Sequence, residues 1–170
     1  MSNIHVCSLA KVPETLRSTG ARTLITLINW ETEVTRPPEI APERHLHVAV
    51  SDIVEEVEGH ILPSDSHVSE LLAFVREWDR ADPLLIHCWA GVSRSTAAAF
   101  IAACALSPES DEREIAQAIR QKSPTATPNA RLVAVADAIL GRGGRMADAV
   151  REIGRGYECD EGVPFALDLR

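Results

Sequence analysis

Apolar positions along the chain fall into short runs separated by Pro, Gly and acidic clusters, and the period of each run predicts an element. Ile4 to Leu9 reads as a short strand, Pro13 to Thr19 as a helical turn ended by Gly20, and Arg22 to Asn29 as a second strand built on a β-branched run. Pro37, Pro38 and Pro42 mark an irregular stretch, after which His45 to Val50 predicts a third strand. Ser51 to Ser66 is rich in acidic residues, Gly and Pro, and reads as a loop. Ser66 is the expected N-cap of a helix that carries Leu71, Leu72, Val75 and Trp78 at helical spacing up to the Asp82-Pro83 breaker. Leu84-Leu85-Ile86 is a wholly apolar, buried strand, and the Ala-rich run from Ser93 to Leu106 is a strong helix former. Glu112 to Gln121, Asn129 to Leu140 and Met146 to Ile153 predict three further helices.

Strands alternating with helices predict one α/β domain over residues 1–170, with a mostly parallel central sheet flanked by helices on both faces. The core spans about 4–140, with a C-terminal helix and tail over 141–170. Ligands of such sheets sit at the carboxyl ends of the strands, which directs attention to the junction from Ile86 to Ser95.

Composition narrows the function classes. The chain has 170 residues, 45% of them hydrophobic, with 17 basic against 25 acidic side chains and a net charge of −8. That field repels nucleic acid and anionic membrane surfaces, so neither is an expected partner, and an anionic substrate needs a local positive site. No apolar run approaches a membrane span and Met1 to Leu9 has no signal-peptide pattern, so a cytoplasmic protein is expected. The four cysteines, Cys7, Cys88, Cys104 and Cys159, lack metal-ligand spacing and the density of a disulfide scaffold. Reduced thiols and no metal or other cofactor follow as expectations.

His87-Cys88-Trp89-Ala90-Gly91-Val92-Ser93-Arg94-Ser95 runs from the apolar strand into the Ala-rich helix. A tight loop at a helix N-terminus gathers unpaired backbone N–H groups and the positive end of the helix dipole into one concavity, a trap for a phosphate-sized dianion. Gly91 permits a turn that side chains would obstruct, and Arg94 offers a planar fork to two oxygens. At the floor of that field, Cys88 is favoured as a thiolate nucleophile.

This nonapeptide resembles the His-Cys-x-x-Gly-x-x-Arg-Ser signature of the cysteine-dependent protein tyrosine phosphatases, in wording closest to the dual-specificity branch and its bacterial members. The order of elements from Ile4 to Leu140, the Gly20-Ala21-Arg22-Thr23 strand start and the Asp-bearing loop before the signature are similar to that branch as well. The resemblance implies a phosphatase of phosphorylated proteins or peptides in which Cys88 becomes a phosphocysteine, Arg94 and the loop from Trp89 to Ser93 bind the phosphoryl group, and Ser95 donates a hydrogen bond to the departing thiolate. It implies further that His87 orients the loop from behind and that the Pro128-Asn129 pair supports it. The departing oxygen needs a general acid on the far side of phosphorus. Asp52, just after the third strand and where the branch places its acid, is the candidate, with Glu55, Glu56, Glu58 and Asp65 as competitors.

Other residues carry weaker signals. Cys104 lies sixteen positions beyond Cys88, roughly 24 Å along a continuous helix, and reads as core. Cys7 on the first strand is either an inert buried thiol or a partner that protects an oxidised Cys88; Cys159 sits in a polar tail. His45 and His47 alternate on one strand without a third ligand in register, and Gly141-Arg142-Gly143-Gly144-Arg145 reads as a helix terminator rather than a phosphate loop. Trp30 and Arg36, after the second strand, are candidates for the substrate entrance. The rival chemistries are a rhodanese-like sulfurtransferase and a phosphatase of phosphoinositide or RNA phosphates. Against the first stands the Arg94-Ser95 ending, and against the second the absence of Lys between Trp89 and Ser93.

Overall fold

The computed structural model describes residues 2–169. Four strands, β1 (Asn3–Ser8), β2 (Thr23–Ile28), β3 (His45–Ala49) and β4 (Leu84–Cys88), and a fifth, β5 (Phe165–Asp168), form one sheet in the order β3-β2-β4-β1-β5. β3, β2, β4 and β1 run parallel, and β5 lies antiparallel along the outer edge of β1. β2 and β4 are apolar or fully buried at every position, as central strands covered on both faces must be.

The two faces are covered unequally. One packs Cys7, Leu24 and Leu85 against Val12 and Leu16 of α1 (Val12–Thr19) and against Ile40. The other packs Ile4, Val6, Ile25, Leu27, Leu46, Val48, Leu84 and Ile86 into the main core with five helices. These are α2 (Asp65–Glu77), α3 (Arg94–Leu106), α4 (Glu112–Lys122), α5 (Ala130–Leu140) and α6 (Arg145–Ile153). α3 is buried along nearly its whole circumference, and its small Ala side chains let it sit close under the sheet and against α2, α4 and α5.

Two features differ from the sequence expectation. α2 begins two residues early: its N-cap is Ser64 rather than Ser66, because His67 Nδ1 accepts the Ser64 amide at 3.0 Å and so satisfies a donor at the helix start. The tail over 141–169 joins the sheet through β5. That edge strand is too short and its alternation too brief to stand out, and it exists because Leu167 and Phe165 find Ile4 and Val6 opposite them and because Leu169 is buried in the core. Gly141, as expected, ends α5 in the left-handed region at φ 66°. Among the described residues no helix is long and apolar enough to cross a membrane.

Candidate active site

β4 delivers Cys88 to the carboxyl edge of the sheet, and α3 starts six residues later at Arg94. The intervening turn requires Gly91 twice over. Its φ is 73°, and a Cβ there would lie 2.7 Å from the Cys7 carbonyl carbon and 2.8 Å from the Ser8 nitrogen. Surrounding segments hold the loop's carbonyls outward: Leu9 N–H donates to Trp89 O at 3.1 Å, Thr127 N–H to Val92 O at 2.9 Å, and Asn129 N–H to Ser93 O at 3.1 Å. In a trans peptide the C=O and the following N–H point in opposite directions. Each outward carbonyl therefore turns the next amide, of Ala90, Ser93 and Arg94, toward the concavity at the head of α3, where the dipole is positive.

Cys88 lies at the floor, 2% exposed, its Sγ 3.1 Å from Ser95 Oγ in the first turn of α3. Arg94 is 6% exposed and held from behind: Nη1 donates to Asn29 Oδ1 at 2.6 Å and to the Val50 carbonyl at 3.0 Å. Its Nε–H is buried and has no partner within the protein. A guanidinium anchored on one nitrogen with a buried donor left over is set for an oxyanion ligand. Behind Cys88, His87 is fully buried. Its Nδ1 lies 3.0 Å from the Cys88 carbonyl, which only accepts, so Nδ1 carries the proton and Nε2 accepts from Thr26 Oγ1 at 2.8 Å. Thr26 Oγ1 in turn meets His45 Nε2 at 2.8 Å. Burial lowers the His87 pKa to about 4, so the ring is neutral at pH 7.

Asp52 follows β3, in a loop closed at its neck by Ser51 N–H to Ile61 O at 2.9 Å and Ile61 N–H to Ser51 Oγ at 3.0 Å. The exposed carboxylate is tied to the cradle: its Oδ1 accepts from Ser93 Oγ at 2.7 Å and from Asn129 Nδ2 at 2.8 Å. Asn129 also caps α5 by accepting the Leu132 amide at 3.0 Å. One residue thus holds the Ser93 carbonyl, the Asp52 carboxylate and a helix start.

Residues 56–135, which contain the cradle and Asn129, match the family model of protein-tyrosine phosphatase. Among solved structures the fold is similar to DUSP15 at 19% identity and a TM-score of 0.63, covering 88% of this chain and 89% of that one. It is similar also to human DUSP28 at 21% identity and a TM-score of 0.60, covering 82% and 94%. Cydia pomonella PTP-2 phosphatase aligns at 20% identity and a TM-score of 0.60, covering 79% and 84%. A protein-tyrosine-phosphatase segment over residues 56–135 thus sits within a fold similar to that of the dual-specificity phosphatases. No curated protein matches it.

Cys88, Arg94, Ser95, His87, Ser93, Asp52 and Asn129 lie together at this edge of the sheet. The competing acids do not share that place: Glu55, Glu56 and Glu58 stay exposed on the Asp52 loop, and Asp65 is the first residue of α2. Trp30 and Trp89 are both 61% exposed. Arg36 is not at the entrance. It donates to the Ile40 carbonyl and lines a separate cavity of about 340 Å3 with Val12 and Pro13 on the α1 side of the sheet, where the Pro37-Pro38 turn carries it. Cys7 packs into the smaller core cluster with α1 while Cys88 Sγ meets Ser95 Oγ of α3, and burial pushes the Cys7 thiol up to about 12. Cys104 is likewise buried and pushed up to about 12. His45 and His47 stack at 6.2 Å, and among the described residues no group of three or more His, Cys, Asp or Glu could hold a metal ion.

Sequence reasoning missed Asn29, the residue that fixes Arg94. The available signal was position: a polar side chain directly after central β2 lies on the same carboxyl edge as Cys88.

Proposed function

We infer that this phosphatase hydrolyses phosphomonoesters on proteins or peptides, phosphotyrosine foremost, through a phosphocysteine on Cys88 and without a metal. The observation that carries the reading is the buried Arg94 guanidinium with its unpartnered Nε–H at the mouth of a helix N-terminus, one residue before Ser95, whose hydroxyl meets Cys88 Sγ. The amides of Ala90, Ser93 and Arg94 and the guanidinium take the three non-bridging oxygens, and their hold tightens as charge spreads in the transition state. The Cys88 thiolate attacks phosphorus, forming the S–P bond as the bond to the departing oxygen breaks. That oxygen takes a proton from Asp52, which Ser93 and Asn129 keep at the cradle rim. Water then attacks the phosphocysteine and gives its proton to Asp52. The Cys88 thiolate leaves, stabilised by the Ser95 hydroxyl.

Exposed Trp30 and Trp89 suit an aromatic leaving group. An open groove of about 1090 Å3 leads from Asp52 and Ser93 between α5, α6 and residues 154–160, room for the polypeptide that carries the phosphate. The test is a panel of phosphotyrosine, phosphoserine and phosphothreonine peptides, a phosphoinositide and an RNA 5′-phosphate, assayed with chelator present. Turnover led by phosphotyrosine peptides is expected. Inactivity toward every phosphomonoester, with sulfur transfer from thiosulfate, would replace the reading by the sulfurtransferase one.

A further inference from the structure

The loop also carries the Ala90 carbonyl. Ala90 O is held by none of the segments described above. Its partner comes from the far end of the sequence: Gly162 N–H donates to it at 2.8 Å. From Gly154 at the end of α6 to β5, the chain is fastened beside the cradle at successive points. Gly156 N–H donates to Thr127 Oγ1 at 3.0 Å and Tyr157 N–H to Pro124 O at 3.0 Å. The Glu161 carboxylate accepts from Ser8 Oγ, and Ser8 is paired in register with Cys88. Gly162 itself is buried, and the approach tolerates no side chain, since a Cβ would lie 2.9 Å from Gly91 O and 3.3 Å from Val92 Cγ2.

We propose that residues 161–162 are a strap of the phosphate cradle, with Gly162 a positioning residue for phosphate binding. The inference rests on the phosphatase reading and adds to it a residue 27 positions beyond the segment that matches the family. The reasoning is that of the other carbonyls. Holding Ala90 O outward turns the Gly91 N–H inward, and at φ 73° the Gly91 backbone has few local restraints to keep it there by itself. Without the strap, the Ala90–Gly91 peptide can rotate and present a carbonyl oxygen to the phosphate, which repels it. Leu9, just after β1, holds the loop on one side, the 127–129 turn holds it on the second, and the strap, itself tied to Ser8 through Glu161, holds it on the third.

The test compares Gly162→Val, Gly162→Ala and Ser8→Ala with Val163→Ala, an exposed neighbour, and Leu71→Ala, a core change in α2 that lowers stability elsewhere. Each is measured for Tm, for inhibition by inorganic phosphate, and for kcat and KM on an aryl phosphate. Gly162→Val should weaken phosphate about tenfold or more and Gly162→Ala less. Ser8→Ala should weaken it several-fold, while Val163→Ala stays as wild type and Leu71→Ala lowers Tm without weakening phosphate. Amide hydrogen exchange on the wild-type protein supplies a readout independent of any variant's folding. Coupling between strap and cradle is reciprocal, so saturating phosphate must slow exchange at the Gly162 amide. Phosphate binding by Gly162→Val within twofold of wild type, or Gly162 exchange indifferent to phosphate, overturns the strap. A wild-type protein that neither binds phosphate nor cleaves its esters removes the phosphatase reading instead.

Discussion

Replacing Asp52 by Asn separates proton transfer from positioning with one atom. The carboxylate Oδ1 accepts from Ser93 Oγ and Asn129 Nδ2, and an amide oxygen in the same place accepts both. Asp52 is exposed, so the change should alter stability by less than about 0.5 kcal/mol. What is lost is the proton for the departing oxygen, and that loss scales with how badly the oxygen needs it. For a phosphotyrosine peptide the decrease in phosphocysteine formation should be about 10²–10⁴-fold, or roughly 2.7–5.5 kcal/mol of transition-state stabilisation. A nitrophenolate leaves readily, so formation from nitrophenyl phosphate should fall distinctly less. The formation step must be isolated as a burst or in a single turnover, because Asp52 also takes a proton in the water step, which slows steady-state turnover equally for both substrates. Equal burst losses for the two leaving groups, with Tm unchanged, would refute Asp52 as the acid and turn attention to Glu55, Glu56 and Glu58 on the same loop.

Cys88→Ser should abolish turnover yet keep phosphate binding, since the cradle is backbone and Arg94; turnover near wild type would remove Cys88 as nucleophile. Arg94→Lys keeps the charge but cannot both hold Asn29 Oδ1 and the Val50 carbonyl and present a second donor to phosphate, so kcat/KM should drop at least about tenfold. A loss under about twofold would sink the fork. His87 is neutral in the fold with a pKa of about 4, against 6.5 when unfolded. Its contribution to stability is therefore complete above pH 6.5 and is lost as pH falls from 6.5 to 4, by about 3 kcal/mol in all. Denaturant titrations should show that slope, and His87→Gln should flatten it; an unchanged slope would mean His87 titrates normally. Gly91→Ala should lower kcat/KM at least about a hundredfold, because its Cβ would meet the Cys7–Ser8 backbone, and activity near wild type would show that the loop has room to shift.

Local chemistry is written in neighbouring residues, and the chain reveals it readily. Cys88 to Ser95 forms a cradle wherever a strand runs into a helix, because backbone geometry and the helix dipole act within one turn. Helices with long periodic faces, such as Glu112–Lys122, were legible for the same reason, and so was the end of α5 at Gly141. Long-range partnership was not. Nothing local in Asn29 says that it will meet Arg94 sixty-five positions away, nor in Arg36 that a double-proline turn will swing it to the other side of the sheet. Thr26 reads as one β-branched strand residue among several until register sets it opposite His87 and next to His45. The tail is the clearest case. Residues 157–164 are mostly exposed and have no apolar period, so the sequence says only that they are polar. Their place beside the cradle is decided by Phe165, Leu167 and Leu169 burying into the core and dragging Glu161 and Gly162 to Ser8 and Ala90. Hydrophobic burial of a few distant side chains has no directional preference of its own, so which polar atoms it brings together is settled only when the whole chain has packed.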